Sequence, residues 1–257
     1  MIKKAALAAV CAVSASFASW DLFPVQEAGK GEAKIVYSNT WLDDVGGYGL
    51  VAAGVRYTVV NNLELALYLP YLPYEFDSEG NFHSFADGVG DLTVMARYQF
   101  LPNFNGFLDV TFPVGNETVV GYDEAFRFHF GAQYSQKFGM INFGSELGFA
   151  LETYGNDDVT PPWHLNAAAE ADFLVNEMFV PYVGIDFAME LGTYTGKDGN
   201  YTRSHTGHFV SMATVGSYIN LTPNFSLDVF AAIQTQWNGY DFYEPDYKAG
   251  VGISYKF

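Results

Sequence analysis

The sequence has a single cysteine, Cys11, so an intramolecular disulfide framework is excluded. Cys11 lies in the amino-terminal stretch MIKKAALAAVCAVSASFA, where Lys3 and Lys4 precede an apolar run too short to span a bilayer. Residues 16–18, Ser-Phe-Ala, have the small-x-small pattern of a signal-peptidase site. We therefore predict a signal peptide over residues 1–18, whose removal would also remove the cysteine.

Basic residues are scarce. The chain has 12 Lys and Arg against 29 Asp and Glu, and its charged fraction is only 16%, against about 25% in typical soluble domains. Cleavage after residue 18 would remove two lysines and leave ten basic residues against 29 acidic ones, a formal charge of −19. Nucleic-acid binding rewards basic patches, so we predict no nucleic-acid partner.

Long hydrophobic runs are also missing, because no stretch beyond residue 18 has 18 consecutive apolar residues. The sequence therefore predicts no transmembrane helix. Aromatic residues, in contrast, make up 18% of the chain. An exported, aromatic-rich chain of this kind is either a soluble β-sandwich or an outer-membrane β-barrel.

Apolar and polar residues alternate with a period of two along most of the chain. In GVGDLTVMARYQF, residues 88–100, one parity is apolar and aromatic while the other carries Asp91, Thr93, Arg97 and Gln99. Thr93 occupies the third glycine position of a dinucleotide fingerprint and no helical period follows, so a nucleotide-binding loop is excluded. The alternation indicates strands with one apolar and one polar face.

The strands recur about 12 times, separated alternately by tight turns and longer polar links such as 43–47, 75–87 and 193–207. This regularity is typical of a transmembrane up-and-down antiparallel β-barrel and not of a Greek-key sandwich. We predict an all-β barrel of about 12 strands over residues 32–257, with both termini periplasmic. Residues 19–31 belong to no predicted strand; they either trail below the barrel, the interpretation we favour here, or fold into it as a small plug.

The polar parity predicts which side chains line the lumen. The candidates are Arg56, Glu64, Asp91, Arg97, Asp109, Arg127, His129, Glu146, Glu170, Asp186, Glu190 and Asp228, with Lys34 and Lys248 on the same face. They either form a charged path that selects solutes or brace a narrow barrel as a salt-bridged filling. An open pore with this acidic excess would favour cations.

Residues 88–98, GVGDLTVMARY, followed by Phe112-Pro113-Val114-Gly115, resemble the outer-membrane barrel family named for phenol meta-pathway degradation. The resemblance is strongest over about 85–116 and otherwise extends only to the general strand pattern. It implies a small channel for aromatic or hydrophobic compounds and carries over no catalytic residue.

An enzyme of the outer-membrane phospholipase type needs a Ser and a His on one face. Ser204 and His205 are adjacent, and His208 and Ser211 differ in parity, so neither pair fits and we predict no enzyme, cofactor or metal site. The acidic loop pairs Asp43-Asp44 and Asp157-Asp158 are interpreted as solvated, with divalent cations that bridge lipopolysaccharide as the alternative.

The predicted function is an outer-membrane channel for small, hydrophobic or aromatic solutes. The alternative is a structural or surface-interaction barrel with a filled lumen. The expected partners are outer-membrane lipid and lipopolysaccharide, a small-molecule solute, and the barrel-insertion machinery. The last strand, which ends on the aromatic Phe257, would be presented to that machinery.

Overall fold

The computed structural model describes residues 22–42, 45–85, 88–120, 125–154, 159–196, 202–204 and 206–257. The predicted signal peptide lies outside these residues, as do residues 19–21 of the following segment. The acidic pairs at 43–44 and 157–158 and His205 also lie outside them.

The described residues form long strands joined by turns and loops. In chain order the strands are β1 Gly31–Leu42, β2 Gly46–Val60, β3 Leu63–Asp77, β4 Phe82–Ser84, β5 Leu92–Leu101, β6 Phe104–Phe112, β7 Arg127–Phe138, β8 Ile141–Glu152, β9 Val159–Thr160, β10 His164–Phe173, β11 Phe179–Glu190, β12 Thr193–Gly196, β13 Thr202–Ser204, β14 Phe209–Asn220, β15 Phe225–Trp237 and β16 Asp246–Lys256. One helical turn, α1 Glu117–Val120, lies between β6 and β7. No helix among the described residues has both the length and the apolar character needed to cross a membrane.

Twelve of these strands close into an antiparallel barrel. Each of β1, β2, β3, β5, β6, β7, β8, β10, β11, β14, β15 and β16 pairs with its neighbours along the chain. β1 then pairs with β16, where Ala33 lies opposite Tyr255. The predicted fold class, an up-and-down barrel of about 12 antiparallel strands, is confirmed. β1 begins at Gly31, so this residue belongs to the barrel and not to the preceding segment.

The tight turns lie at one end of the barrel, which we call the turn end. They include Asn61–Asn62, where Asn62 adopts a left-handed φ of 70°, and Gly139–Met140 with Gly139 at 60°. The opposite end, the loop end, carries the long connections. One predicted link differs: β1 and β2 pair as far as Leu42 opposite Gly46, so Gly46 and Gly47 of the predicted link 43–47 belong to β2.

The glycines of the GVGD stretch hold residues 88–90 against β3. The Leu72 amide donates to the Gly88 carbonyl at 2.7 Å, and the Gly90 amide donates to the Pro70 carbonyl at 2.9 Å. A Cβ on Gly88 would lie 1.9 Å from the Leu72 carbonyl oxygen. Glycine is required here because two backbones approach closely.

Candidate functional site

The two faces of the barrel wall differ in polarity, and the polar face is the interior. Large apolar side chains are exposed on the outer parity, as for Ile35, Leu67, Leu147, Ile185 and Val215. Buried polar and charged residues occupy the alternate parity. An apolar band around a closed barrel is the surface that hydrocarbon requires, since lipid offers no partner for polar groups or open edges.

Carboxylates and guanidinium groups alternate across the inner wall of β1, β2, β3 and β5. Arg56 forms a salt bridge with Glu32 and lies 3.9 Å from a Glu64 carboxylate oxygen. Arg97 donates from Nη2 to Glu64 Oε1 at 2.6 Å and from Nε to the same oxygen at 2.9 Å. All four side chains are at least nine-tenths buried, so they neutralise one another inside the barrel.

The polar network continues onto β7 and β8. Gln133 donates to Glu146 Oε2 at 2.8 Å. His129 lies between two carboxylates, with Nδ1 at 3.2 Å from Asp109 Oδ2 and Nε2 at 3.5 Å from Glu146 Oε1. Together with the ion pairs on β1–β5, these contacts form what we call the filled side of the interior.

The segment before β1 touches this filled side. The Phe23 carbonyl accepts hydrogen bonds from Arg97 Nη1 at 2.9 Å and from Asn105 Nδ2 at 3.2 Å, and the Val25 amide donates to Gln99 Oε1 at 3.0 Å. Leu22 lies on the inner face of β8, close enough that a Cβ on Gly144 would come within 2.7 Å of it. The chain therefore runs inside the barrel at residues 22–25 before it joins β1.

A second polar cluster lies on the opposite wall, around Asp228 of β15. Tyr182 donates its hydroxyl to Asp228 Oδ1 at 3.0 Å, and Lys34 lies 3.2 Å from Oδ2. The Tyr182 and Tyr218 rings stack with their centroids 4.7 Å apart, and Tyr218 donates to Glu170 at 3.4 Å. We call these five side chains the Asp228 cluster.

The interior of β10–β16 is less tightly filled than that of β2–β7. Glu170, Asp186, Met212 and Lys248 are half-buried there, whereas Glu64 and Arg97 on the filled side are only 2% and 3% exposed. A recess at the loop end lies between β14–β16 and the adjoining β1 and β2, and it is lined by Thr40, Tyr48, Met212, Ala232, Gln234, Asp246, Tyr247 and Lys248. Several inward side chains of β10–β16 are therefore more accessible than the ion pairs of the filled side, while Asp228 and Tyr182 on the same strands are buried.

Charged and aromatic groups also gather near the loop end. Glu190 lies 3.7 Å from His164 Nε2 and 3.7 Å from His208 Nδ1, and it accepts a hydrogen bond from Tyr194 at 3.1 Å. Burial, together with the adjacent Glu190 carboxylate, raises the pKa of the Tyr194 phenol, which therefore stays a hydrogen-bond donor. These contacts tie β12, which pairs with β9 and β13, to the barrel wall.

A small apolar cluster closes around α1. Val119 packs with Tyr48 and Leu72, and Leu42, Leu50 and Phe85 surround them. The loop between β6 and β7 thus covers part of the loop end with apolar side chains.

The predicted lumen residues separate into groups. Arg56, Glu64, Arg97, Asp109, His129 and Glu146 meet on the filled side, and Glu170 and Asp228 belong to the opposite cluster. Arg127 forms a salt bridge with Glu152, and Asp91 accepts a hydrogen bond from the Gly115 amide at 2.9 Å. Asp186 is half-buried on the inner face of β11. Glu190 lies apart at the loop end, between the two histidines.

Several interior residues were missed from the sequence, among them Glu32, Asn105, Gln133, Tyr182 and Tyr218. All five share the inward parity of their strands, which was the available signal. The four uncharged residues were passed over because only charge was used to select candidates, whereas Glu32 stands at the very start of the predicted barrel.

Of the two Ser–His pairs weighed from the sequence, the one that includes His205 lies outside the described residues, and the two members of the other have separate partners. Ser211 hydrogen-bonds Thr235 at 3.0 Å, and His208 faces Glu190. In the described part of the chain no three His, Cys, Asp or Glu side chains are grouped as ligands for a metal ion.

Comparisons with known proteins place the fold. No protein-family model matches the sequence, and no curated protein matches it. Among solved structures, the chain is similar to an outer-membrane channel from Pseudomonas putida F1, with a TM-score of 0.68 and 14% identity over 91% of this chain and 98% of that one.

Two further solved structures have the same architecture. The NanC porin matches with a TM-score of 0.58 and 10% identity over 87% of this chain and 100% of that one. The translocator domain of the autotransporter NalP from Neisseria meningitidis matches with a TM-score of 0.54 and 11% identity over 97% of this chain and 94% of that one. The chain therefore has the fold of bacterial outer-membrane β-barrels.

Proposed function

We propose that the protein is an outer-membrane channel for small solutes. The observation that carries this proposal is the uneven filling of the interior. Buried ion pairs brace β1–β8, whereas half-buried side chains lie along β10–β16 and a recess lies where β14–β16 adjoin β1 and β2 at the loop end. A barrel that served only as a structural element would gain from a uniformly filled lumen, so the less filled wall is the proposed solute path. The channel described by the name of the Pseudomonas putida structure agrees with this role.

The proposed path favours cationic or neutral solutes over anions. Glu170, Asp186, Asp228 and Asp246 lie along it against Lys34 and Lys248. Carboxylate rings are the usual basis of cation preference in pores. Met212, Ala232 and Tyr48 supply apolar surface beside these charges, which suits small solutes with an apolar part. The resemblance of residues 88–98 and 112–115 to the phenol meta-pathway barrels supports such cargo.

Residues 22–25 act in this proposal as a plug that narrows the lumen from the filled side. The Arg97 and Asn105 side chains donate to the Phe23 carbonyl, and the Val25 amide donates to the Gln99 side chain. We propose the plug in preference to the tail interpretation favoured from the sequence, and the contacts of residues 22–25 with the inner faces of β5, β6 and β8 support it. Gly29 and Lys30, in contrast, pair with Thr58 and extend the sheet.

The orientation and partners follow from the same proposal. The start of β1 and the end of β16 lie at the turn end. We place this end in the periplasm because outer-membrane barrels have short periplasmic turns. Phe257 exchanges backbone hydrogen bonds with Gly31 at 2.9 Å and stacks on Tyr57, so it closes the barrel seam. In this orientation Phe257 lies on the periplasmic side, where we propose that the insertion machinery recognises it. The acidic loops lie on the outer side, where we propose that they meet lipopolysaccharide.

Liposome swelling tests the transport function directly. Vesicles containing the refolded chain are expected to swell in isosmotic small polyols and to stop swelling as solute size increases. Empty vesicles provide the control. Swelling no faster than in empty vesicles, with the barrel shown to be folded, would favour the filled, structural barrel instead.

A further inference from the structure

Asp228 lies where two strands on either side of β15 direct polar groups toward its carboxylate. Tyr182 of β11 reaches Oδ1 at 3.0 Å, and Lys34 of β1 reaches Oδ2 at 3.2 Å from the other side. Asp228 itself stands on β15, between these two strands in the barrel order. Residues Asp228 and Tyr182 are 7% and 6% exposed, so the contact is largely shielded from solvent.

Two glycines make this convergence possible. Tyr182 lies over Gly216 of β14, where a Cβ would come within 2.5 Å of the tyrosine ring. Lys34 crosses β16 at Gly252, where a Cβ would lie 3.4 Å from Lys34 Cε and 3.3 Å from Asp228 Cβ. The intervening strands thus lack side chains at the two positions that would separate Asp228 from its partners.

Aromatic surface completes the surroundings of the Lys34 ammonium. Its Nζ lies 5.9 Å from the Tyr218 ring centroid, within the range of a cation–π contact. Tyr218 stacks on Tyr182 at an interplanar angle of 23° and donates to Glu170. A carboxylate together with an aromatic face is a common way to bind an ammonium group.

We propose that the Asp228 cluster is a binding site for small primary-ammonium cations, and that the Lys34 ammonium occupies the ligand position in the structure. The Lys34 side chain is 26% exposed, so it can leave the carboxylate toward the lumen and let a free amine take its place. The role of this exchange in selecting solutes rests on the proposed channel function, but the binding site itself does not.

The test uses the refolded full chain in detergent and isothermal titration with n-propylammonium. This cation matches the part of the lysine side chain that alanine lacks. Lys34→Ala vacates the site, whereas Lys34→Met fills it with an uncharged chain of similar length. We expect Lys34→Ala to bind n-propylammonium at least tenfold more tightly than Lys34→Met. Adding Asp228→Asn to Lys34→Ala is expected to weaken that binding at least tenfold.

Controls separate recognition of an ammonium from general binding. Lys248→Ala removes another interior lysine, and n-propanol replaces the ammonium with a hydroxyl. Equal binding to Lys34→Ala, Lys34→Met and Lys248→Ala, or equal binding of n-propanol, would overturn the proposal. Lys34→Ser replaces Lys34→Ala if the alanine variant does not fold. The titration measures no current, so it tests the binding site independently of the channel. Amine binding by Lys34→Ala, combined with no conductance of the protein in a separate bilayer recording, would support the site and contradict the channel.

Discussion

At the scale of single residues, Arg97 links the barrel wall to the segment inside it. Its guanidinium contacts Glu64, Gln133 and the Phe23 carbonyl while its side chain is 3% exposed. The arginine suits this position because its fixed donors reach several acceptors at once. Its loss leaves buried acceptors and a carboxylate that has lost its closest cation.

Arg97→Met is expected to destabilise the barrel by about 3–5 kcal/mol, the usual cost of removing one partner of a buried ion pair. Equilibrium urea unfolding in detergent, followed by tryptophan fluorescence, measures this cost. The double variant Arg97→Met/Glu64→Gln should recover part of it, because the stranded carboxylate is removed. A loss below about 1 kcal/mol for Arg97→Met would show that the pair is solvated.

Asp77, at the loop-end tip of β3, gives a pH-dependent prediction. Hydrogen bonds from the Asn81 side chain and amide and from the Glu79 amide hold the pKa of this carboxyl below its usual value. A lowered pKa in the folded turn means that the ordering is present above the ordinary Asp pKa and is lost as the pH falls through the lowered value.

Amide hydrogen exchange of Glu79 and Asn81 is therefore expected to lose its protection only below the ordinary Asp pKa, after correction for the intrinsic rate. Asp77→Asn should remove the pH dependence. Protection that declines equally in the wild-type chain and in Asp77→Asn would show that the carboxylate does not order this turn.

At the scale of elements, the barrel strands follow from the sequence while their inner partners do not. Alternation fixes which face each residue takes, because a strand has a period of two. It does not fix which inner side chains meet, since this depends on the register of every pair around the closed sheet. The Glu64–Arg97 pair follows from direct register between β3 and β5. The Lys34–Asp228 contact crosses β16 and cannot be read from spacing.

The position of the segment before β1 is even harder to predict from the sequence. Residues 22–25 have no period, and their contacts run to residues more than 70 positions away. Nothing local in the sequence directs Phe23 to Arg97. The interior position of this segment depends on the assembled wall.

Gly88→Ala tests the close contact between residues 88–90 and β3. Its methyl group would meet the Leu72 carbonyl at 1.9 Å, and overpacking of this kind costs about 1–3 kcal/mol. Gly106→Ala is the matched control, because a Cβ there has its nearest neighbours at 3.9 Å. Urea unfolding should show a lower midpoint for Gly88→Ala alone. Equal midpoints for the two variants would contradict the structural role assigned to Gly88.

At the scale of the whole molecule, the barrel combines an apolar exterior with an interior of two different sides. The filled side stabilises the wall and holds residues 22–25. The other side, along β10–β16, contains the proposed solute path and the carboxylates that line it. The net charge of −17 for the full chain agrees with a lumen that repels anions. The central claim is that solutes pass along this second side while the amino-terminal segment narrows the lumen.

Single-channel recording in planar bilayers tests that claim most directly. It compares the chain that starts at residue 19 with one that starts at Gly29, which keeps the backbone pairing of Gly29 and Lys30 with Thr58. The account predicts discrete conductance steps that favour cations, and larger steps after truncation. Silence from both folded chains, or steps of equal size, would contradict it.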